Sequence, residues 1–237
     1  MARYLFITLL VFTGCAPLYI PNVRNSPMFT KGGEYQASVQ IGNGIEAQTA
    51  FAVSDRFGLM TNFSYINQSD SDEIDDYHRH QFLEGGLGYF VNREDSFFEV
   101  YAGYGRGKGS NYQAYETFFG PGAFAATGKY ERYFIQPAFG VNKGEMNLSF
   151  APRVSMVDFF EFAGETVSID INREAKFFFE PAIIGRANFL NNNMFATFQA
   201  GVSLGLSQDI YFDRRTFQLS GGIGLRLGAA KKLVNRL

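Results

Sequence analysis

Tryptophan is missing from this chain, cysteine occurs once and histidine twice. A single cysteine builds no disulfide framework, so stability has to come from packing and hydrogen bonding. No histidine-bearing motif surrounds that cysteine, which leaves its thiol without a partnering base. No run of about 18 apolar residues exists, which excludes a transmembrane helix. The formal net charge is −2 and no basic patch with interleaved aromatics occurs, so nothing argues for nucleic-acid binding. Gly-rich phosphate loops, nucleophile elbows and Walker motifs are also absent. No cofactor is implied.

Glycine (26), phenylalanine (27) and tyrosine (13) are plentiful in the 237 residues. Such residues suit strands that bend, close on one another and meet a lipid interface. Stretches of alternating apolar and polar residues recur along the chain, and a side-chain period of two is the mark of a strand. The last stretch is the cleanest. Phe217, Leu219, Gly221, Ile223, Leu225 and Leu227 share one face, while Gln218, Ser220, Gly222, Gly224 and Arg226 share the other. Ten such strands are expected, at about 33–41, 45–53, 57–66, 78–91, 96–104, 129–141, 146–158, 176–190, 194–206 and 217–227.

The connections between them differ in length. Long loops are expected after the third, fifth and seventh strands, including a Gly- and aromatic-rich loop at 105–128. Short turns follow the second, fourth, sixth and eighth strands. Short turns at one end and long loops at the other, with an even strand count, describe a membrane barrel. The fold expected is therefore all-β: a single closed antiparallel up-and-down transmembrane β-barrel of ten strands, with eight as the alternative. Closure removes both sheet edges, which hydrocarbon would not tolerate unpaired. A soluble sandwich or lipocalin-like barrel would instead turn its apolar face inward.

The amino terminus reads as an export signal over 1–14. Arg3 supplies a positive start, and Tyr4 to Phe12 form an apolar stretch too short to span a bilayer. Phe12-Thr13-Gly14-Cys15 resembles a bacterial lipoprotein box. That resemblance implies that Cys15 becomes the lipidated first residue. Residues 15–32, with Pro17, Pro21 and Pro27, are expected as an extended periplasmic tether. The barrel would occupy 33–228, and 229–237, with Lys231, Lys232 and Arg236, would form a basic periplasmic tail.

If the apolar face meets lipid, the alternate positions line a lumen. They carry Glu34, Glu46, Glu84, Glu99 and Glu180 with Arg132, Arg153, Arg186 and Arg226, five acids against four arginines. Interior charges need partners, so ion pairs crossing the lumen are expected. A side-chain-filled plug is favoured over a narrow pore or small-ligand pocket in so small a barrel. His78 and His80 form an H-x-H on the face that carries Glu84, next to the acidic run at 69–76. With Asp75 and Asp76 they are weak candidates for a metal. Histidines and acids at a barrel rim also resemble ten-stranded outer-membrane proteases, which would imply a rim hydrolase.

The lipoprotein box, the proline-bearing tether and the amphipathic strands together resemble small outer-membrane β-barrel proteins of the OmpA/OmpX-like type. The resemblance covers about 33–228 and implies a structural, adhesion or accessory role. The expectation is a non-enzymatic lipoprotein of the bacterial outer membrane, both termini periplasmic, with its lipid anchor in the inner leaflet. Partners would be outer-membrane lipid and lipopolysaccharide, and other envelope proteins met through the 105–128 loop or the tail.

Overall fold

The computed structural model describes residues 17–69, 76–117, 120–164, 174–208, 210 and 212–228, with backbone alone at 113–117 and 120–124. The expected signal at 1–14, Cys15, Asp75 and the expected tail at 229–237 lie outside the described residues. Thirteen strands and no helix are found among those described. In chain order they are β1 (Tyr35–Ile41), β2 (Ile45–Ala52), β3 (Phe57–Ser69), β4 (Tyr77–Asn92), β5 (Ser96–Thr117), β6 (Gly120–Lys143), β7 (Met146–Ala151), β8 (Val154–Gly164), β9 (Lys176–Phe179), β10 (Ala182–Phe189), β11 (Met194–Val202), β12 (Leu204–Gly205) and β13 (Phe217–Leu227).

Ten of these close into an antiparallel ring in the order β1, β2, β3, β4, β5, β6, β7, β10, β11, β13. The seam is β1 on β13, from Tyr35 opposite Leu227 to Ile41 opposite Gly221. The ring has ten strands, not eight. β8, β9 and β12 stand outside it and extend the wall beyond β6, which pairs with β7 at one end and β8 at the other.

Three strands expected to be continuous are interrupted. The breaks fall at Pro152-Arg153, Glu180-Pro181 and Ser203. A proline has no N–H to give the ladder, so two of the breaks are written in the sequence. The chain is still held there: Arg153 N–H donates to Glu180 O at 3.2 Å and Glu180 N–H to Arg153 O at 2.7 Å.

The expected loop at 105–128 is also different. β5 and β6 continue as one hairpin, paired residue by residue as far as Thr117 opposite Gly120. The two-residue period persists here, but the outward set changes from apolar to charged. Tyr104 gives way to Arg106 and Lys108, and Tyr133 to Glu131 and Lys129. Arg106 donates to Glu131 at 3.0 Å, and Lys129 lies 2.7 Å from Glu161. The hairpin therefore continues as paired sheet past the apolar outward face.

Around the ring, the outward residues are large and apolar. Leu83, Leu87, Ile135, Phe139, Leu148, Ile183, Phe198, Leu219 and Ile223 are each about half exposed or more, between 52% and 61% in this set. On β4 this face runs from Leu83 to Val91, matching the roughly nine to eleven residues a tilted strand needs to cross hydrocarbon. The two ends differ. The short-turn end holds the turns at 53–56, 93–95, 144–145 and 190–193, together with Gly33 and Gly228. Asn191 and Asn192 sit in the left-handed region there, with φ of 57° and 66°, a conformation asparagine tolerates well. The opposite end carries the long connections.

The most consequential departure concerns the tether. Residues 17–29 do not run outside the barrel; every one of them is buried, and they pass through its interior.

Candidate functional site in the barrel interior

The interior is built by two sets of side chains. The first is the inward half of each strand's alternation. The second is the segment 17–29, which meets that half around the whole circumference. Its course is fixed at both ends. At the long-loop end, Leu18 N–H and Tyr19 N–H donate to Asp213 O at 3.0 and 3.1 Å, and Arg215 N–H donates to Tyr19 O at 3.0 Å. Burial pushes the Asp213 carboxyl above its ordinary range, with the Arg214 guanidinium working against the shift. At the short-turn end, Asn92 donates to Phe29 O at 3.1 Å, and Thr30 N–H and Oγ1 donate to Glu34 Oε2 at 3.0 and 2.8 Å.

Between these ends the polar groups of the segment find partners on nearly every strand. Asn22 donates to Glu84 at 2.6 Å and accepts from Arg132 at 2.6 Å and Arg153 at 2.7 Å. Asn25 donates to Asn62 at 2.7 Å, and Gln136 donates to Asn25 O at 2.7 Å. Gln48 donates to Val23 O at 2.9 Å. Ser26 donates to Glu99 Oε1, and Met28 N–H donates to Glu99 Oε2 at 3.0 Å. Arg186 donates to Ser26 O at 2.8 Å and Pro27 O at 2.7 Å. The pattern obeys the rule that buried polar groups are hydrogen-bonded.

Arg24 was not among the residues singled out from the sequence. Its backbone N–H donates to Gln199 Oε1 at 2.9 Å, and Gln199 donates back to Arg24 O at 3.1 Å. Its guanidinium reaches Gln218 Oε1 at 2.6 Å and Glu180 O at 3.0 and 3.2 Å. That carbonyl lies at the break before β10, so the proline-made interruption helps to seat the cation. With Arg24, five buried arginines stand against the five buried acids among the described residues, and Lys176 is buried as well.

All nine lumen charges read from the sequence are buried, none more than 5% exposed. They pair more locally than expected. Glu84 holds Arg132 and lies 3.9 Å from Arg153, and Glu34 lies 3.1 Å from Arg226 on the adjoining strand. Glu180 accepts from Tyr19 Oη and Ser155 Oγ, both at 2.7 Å. Instead of ion pairs bridging wall to wall, the segment carries the crossing contacts. Glu46 is buried beside Gln40 and Gln48, opposite Ser64.

Apolar contacts follow the same plan. Three buried apolar clusters fill the interior, and each contains part of the segment: Leu18 and Tyr19 in one, Phe29 in the second, Met28 in the third. Inward glycines make the space. A Cβ on Gly109 would meet Leu18 O at 2.6 Å, and one on Gly58 would meet the Phe29 ring at 2.7 Å and Tyr101 Oη at 2.8 Å. Gly58→Val is expected to lower unfolding stability by about 1–3 kcal/mol through overpacking. Gly85→Ala, whose Cβ meets nothing nearer than 3.8 Å, is expected to stay within about 0.5 kcal/mol. Urea unfolding in detergent, followed by circular dichroism, checks both.

His78 and His80 also face inward and are buried. His80 Nε2 lies 2.8 Å from Tyr130 Oη, and its ring stacks on Phe82 and Tyr130. Asp76 is described and Asp75 is not. Among the described residues, no group of three or more His, Cys, Asp or Glu is placed to hold a metal ion.

No family model matches the chain, and no curated protein matches it. Among solved structures, the fold is similar to the translocator domain of the autotransporter NalP from Neisseria meningitidis. The identity is 11% and the TM-score 0.47, over 81% of this chain and 85% of that one.

Proposed function

We propose that this chain is a non-enzymatic β-barrel lipoprotein of the bacterial outer membrane, with a structural or accessory role and a lumen closed by its own N-terminal segment. The observation that carries the reading is the burial of residues 17–29 inside a sealed ten-strand ring. A soluble protein does not expose so continuous an apolar surface, whereas a membrane barrel requires it. Lipid and lipopolysaccharide are then the surroundings of the belt. The export signal and the lipid on Cys15 belong to the same proposal.

Closure rather than conduction is supported by the interior itself. Asn22 and Ser26 engage the Glu84 and Glu99 carboxylates, Arg24 the Glu180 carbonyl and Asn25 the Asn62 amide, while aromatic rings pack the rest of the interior. In this reading His80, whose Nε2 lies 2.8 Å from Tyr130 Oη, packs the interior. The β5–β6 hairpin, which leaves the belt with charged outward residues, is the element best placed to meet another envelope protein. In planar bilayers the purified full chain is expected to give no current above the protein-free membrane. A steady ohmic conductance would overturn the closed-lumen reading and favour a narrow pore.

A further inference from the structure

The direction in which residues 17–29 pass through the barrel has a topological consequence. Phe29 lies at the short-turn end, beside Asn92, and Leu18 lies at the long-loop end, beside Asp213 and Gly109. Extended chain rises about 3.3 Å per residue, so this stretch reaches roughly 40 Å. Hydrocarbon is about 30 Å thick. The segment is therefore long enough to carry the chain from one face of the membrane to the other. It is also held in one register, through specific side-chain partners from Tyr19 to Thr30, so it is part of the wall's packing rather than a loose occupant.

We infer that the barrel closes around its own N-terminal segment and delivers everything N-terminal to Pro17 to the long-loop face. This rests on the membrane reading proposed above. It replaces the inner-leaflet anchor expected from the sequence, because that expectation set Cys15 beside β1 at the short-turn end. Cys15 is two residues upstream of Pro17, and the side on which Pro17 leaves the lumen decides the side of any lipid attached there. Order of assembly follows as well. The β1–β13 seam is continuous over Tyr35 to Ile41, and a lipidated end could not be drawn through a closed and packed ring. The segment must be in place before the seam forms.

Labelling of introduced cysteines on intact cells tests this, using a membrane-impermeant biotin maleimide. The probes are Ala16→Cys, Gln208→Cys at the long-loop end and Asn192→Cys at the short-turn end. The parent chain sets the background from Cys15. Heat-modifiable migration on gels shows that each variant has folded. The expected result is that Ala16→Cys and Gln208→Cys label comparably on intact cells, and Asn192→Cys only after the outer membrane is permeabilised. If Gln208→Cys labels and Ala16→Cys stays silent until permeabilisation, the threaded path is wrong while the membrane reading stands. If Gln208→Cys and Asn192→Cys label alike, or the protein leaves the membrane fraction, the membrane reading falls and the inference with it.

Discussion

Deleting residues 17–29 is expected to turn a silent barrel into a conducting one. The ring is closed by backbone bonds that do not involve the segment, including the β1–β13 seam. What the deletion removes is Leu18, Tyr19, Ile20, Val23, Met28 and Phe29 from the interior, all buried in the intact protein. Burying each such side chain contributes roughly 1.5–3 kcal/mol. Ordering the same stretch costs about 1–2 kcal/mol per residue in backbone entropy. The two terms are of similar size, so loss of the segment is expected to change permeability far more than stability. Glu84, Arg132 and Arg153 would then face water, and water removes the penalty for leaving them less completely paired. Planar-bilayer recording of the folded deletion variant checks this. Silence from a variant that still migrates as a folded barrel would show that wall side chains alone fill the lumen.

The second large effect is expected at the Glu84–Arg132 pair. Both side chains are fully shielded from solvent, and Arg132 also sits 4.3 Å over the Phe82 ring. Removing one member of a buried pair costs about 3–5 kcal/mol, because the survivor is left charged and unpaired. Glu84→Gln is the harsher change. It strips the carboxylate from Arg132 and from Arg153, and it weakens the acceptor shared by Asn22 and Asn62. Arg132→Met alone should also destabilise. The double variant should recover a substantial part of the loss, since residues in one network are coupled and their effects do not add. Urea unfolding followed by circular dichroism provides the readout, the chain having no tryptophan to follow. Additive losses in the double variant would show that the two side chains act independently.

Much of the wall was legible along the chain because it depends on a local rule. An alternation such as Phe217, Leu219, Gly221, Ile223 fixes which face each residue takes, whatever the neighbours are. The inward charges followed from the same phase. The hairpin at 105–128 was missed where the outward face changed from apolar to charged and the inward face became glycine, as at Gly105, Gly107 and Gly109. Those glycines look like loop residues until Phe82, Tyr130 and Leu18 are seen packed against them. The breaks at Pro152 and Pro181 carried a visible signal that the alternation around them outweighed.

The segment 17–29 is the clearest case of information that a local reading does not reach. Prolines and polar residues suggested a solvated tether. Leu18, Tyr19, Ile20, Val23, Met28 and Phe29 are more apolar than a tether needs, which was the available hint. Its partners are far away in sequence: Tyr19 meets Glu180, Arg24 meets Gln218, and Asn22 meets Glu84.

By itself, then, the sequence determined an all-β chain of ten amphipathic strands with a charged inner face, because strand alternation is a nearest-neighbour property. Tertiary structure alone decided what fills that inner face and on which side the N-terminal segment emerges. Closing the ring brings residues more than a hundred positions apart into one shielded volume, and hydrogen bonds that a strand leaves open to its interior have to be met there by whatever the chain can supply.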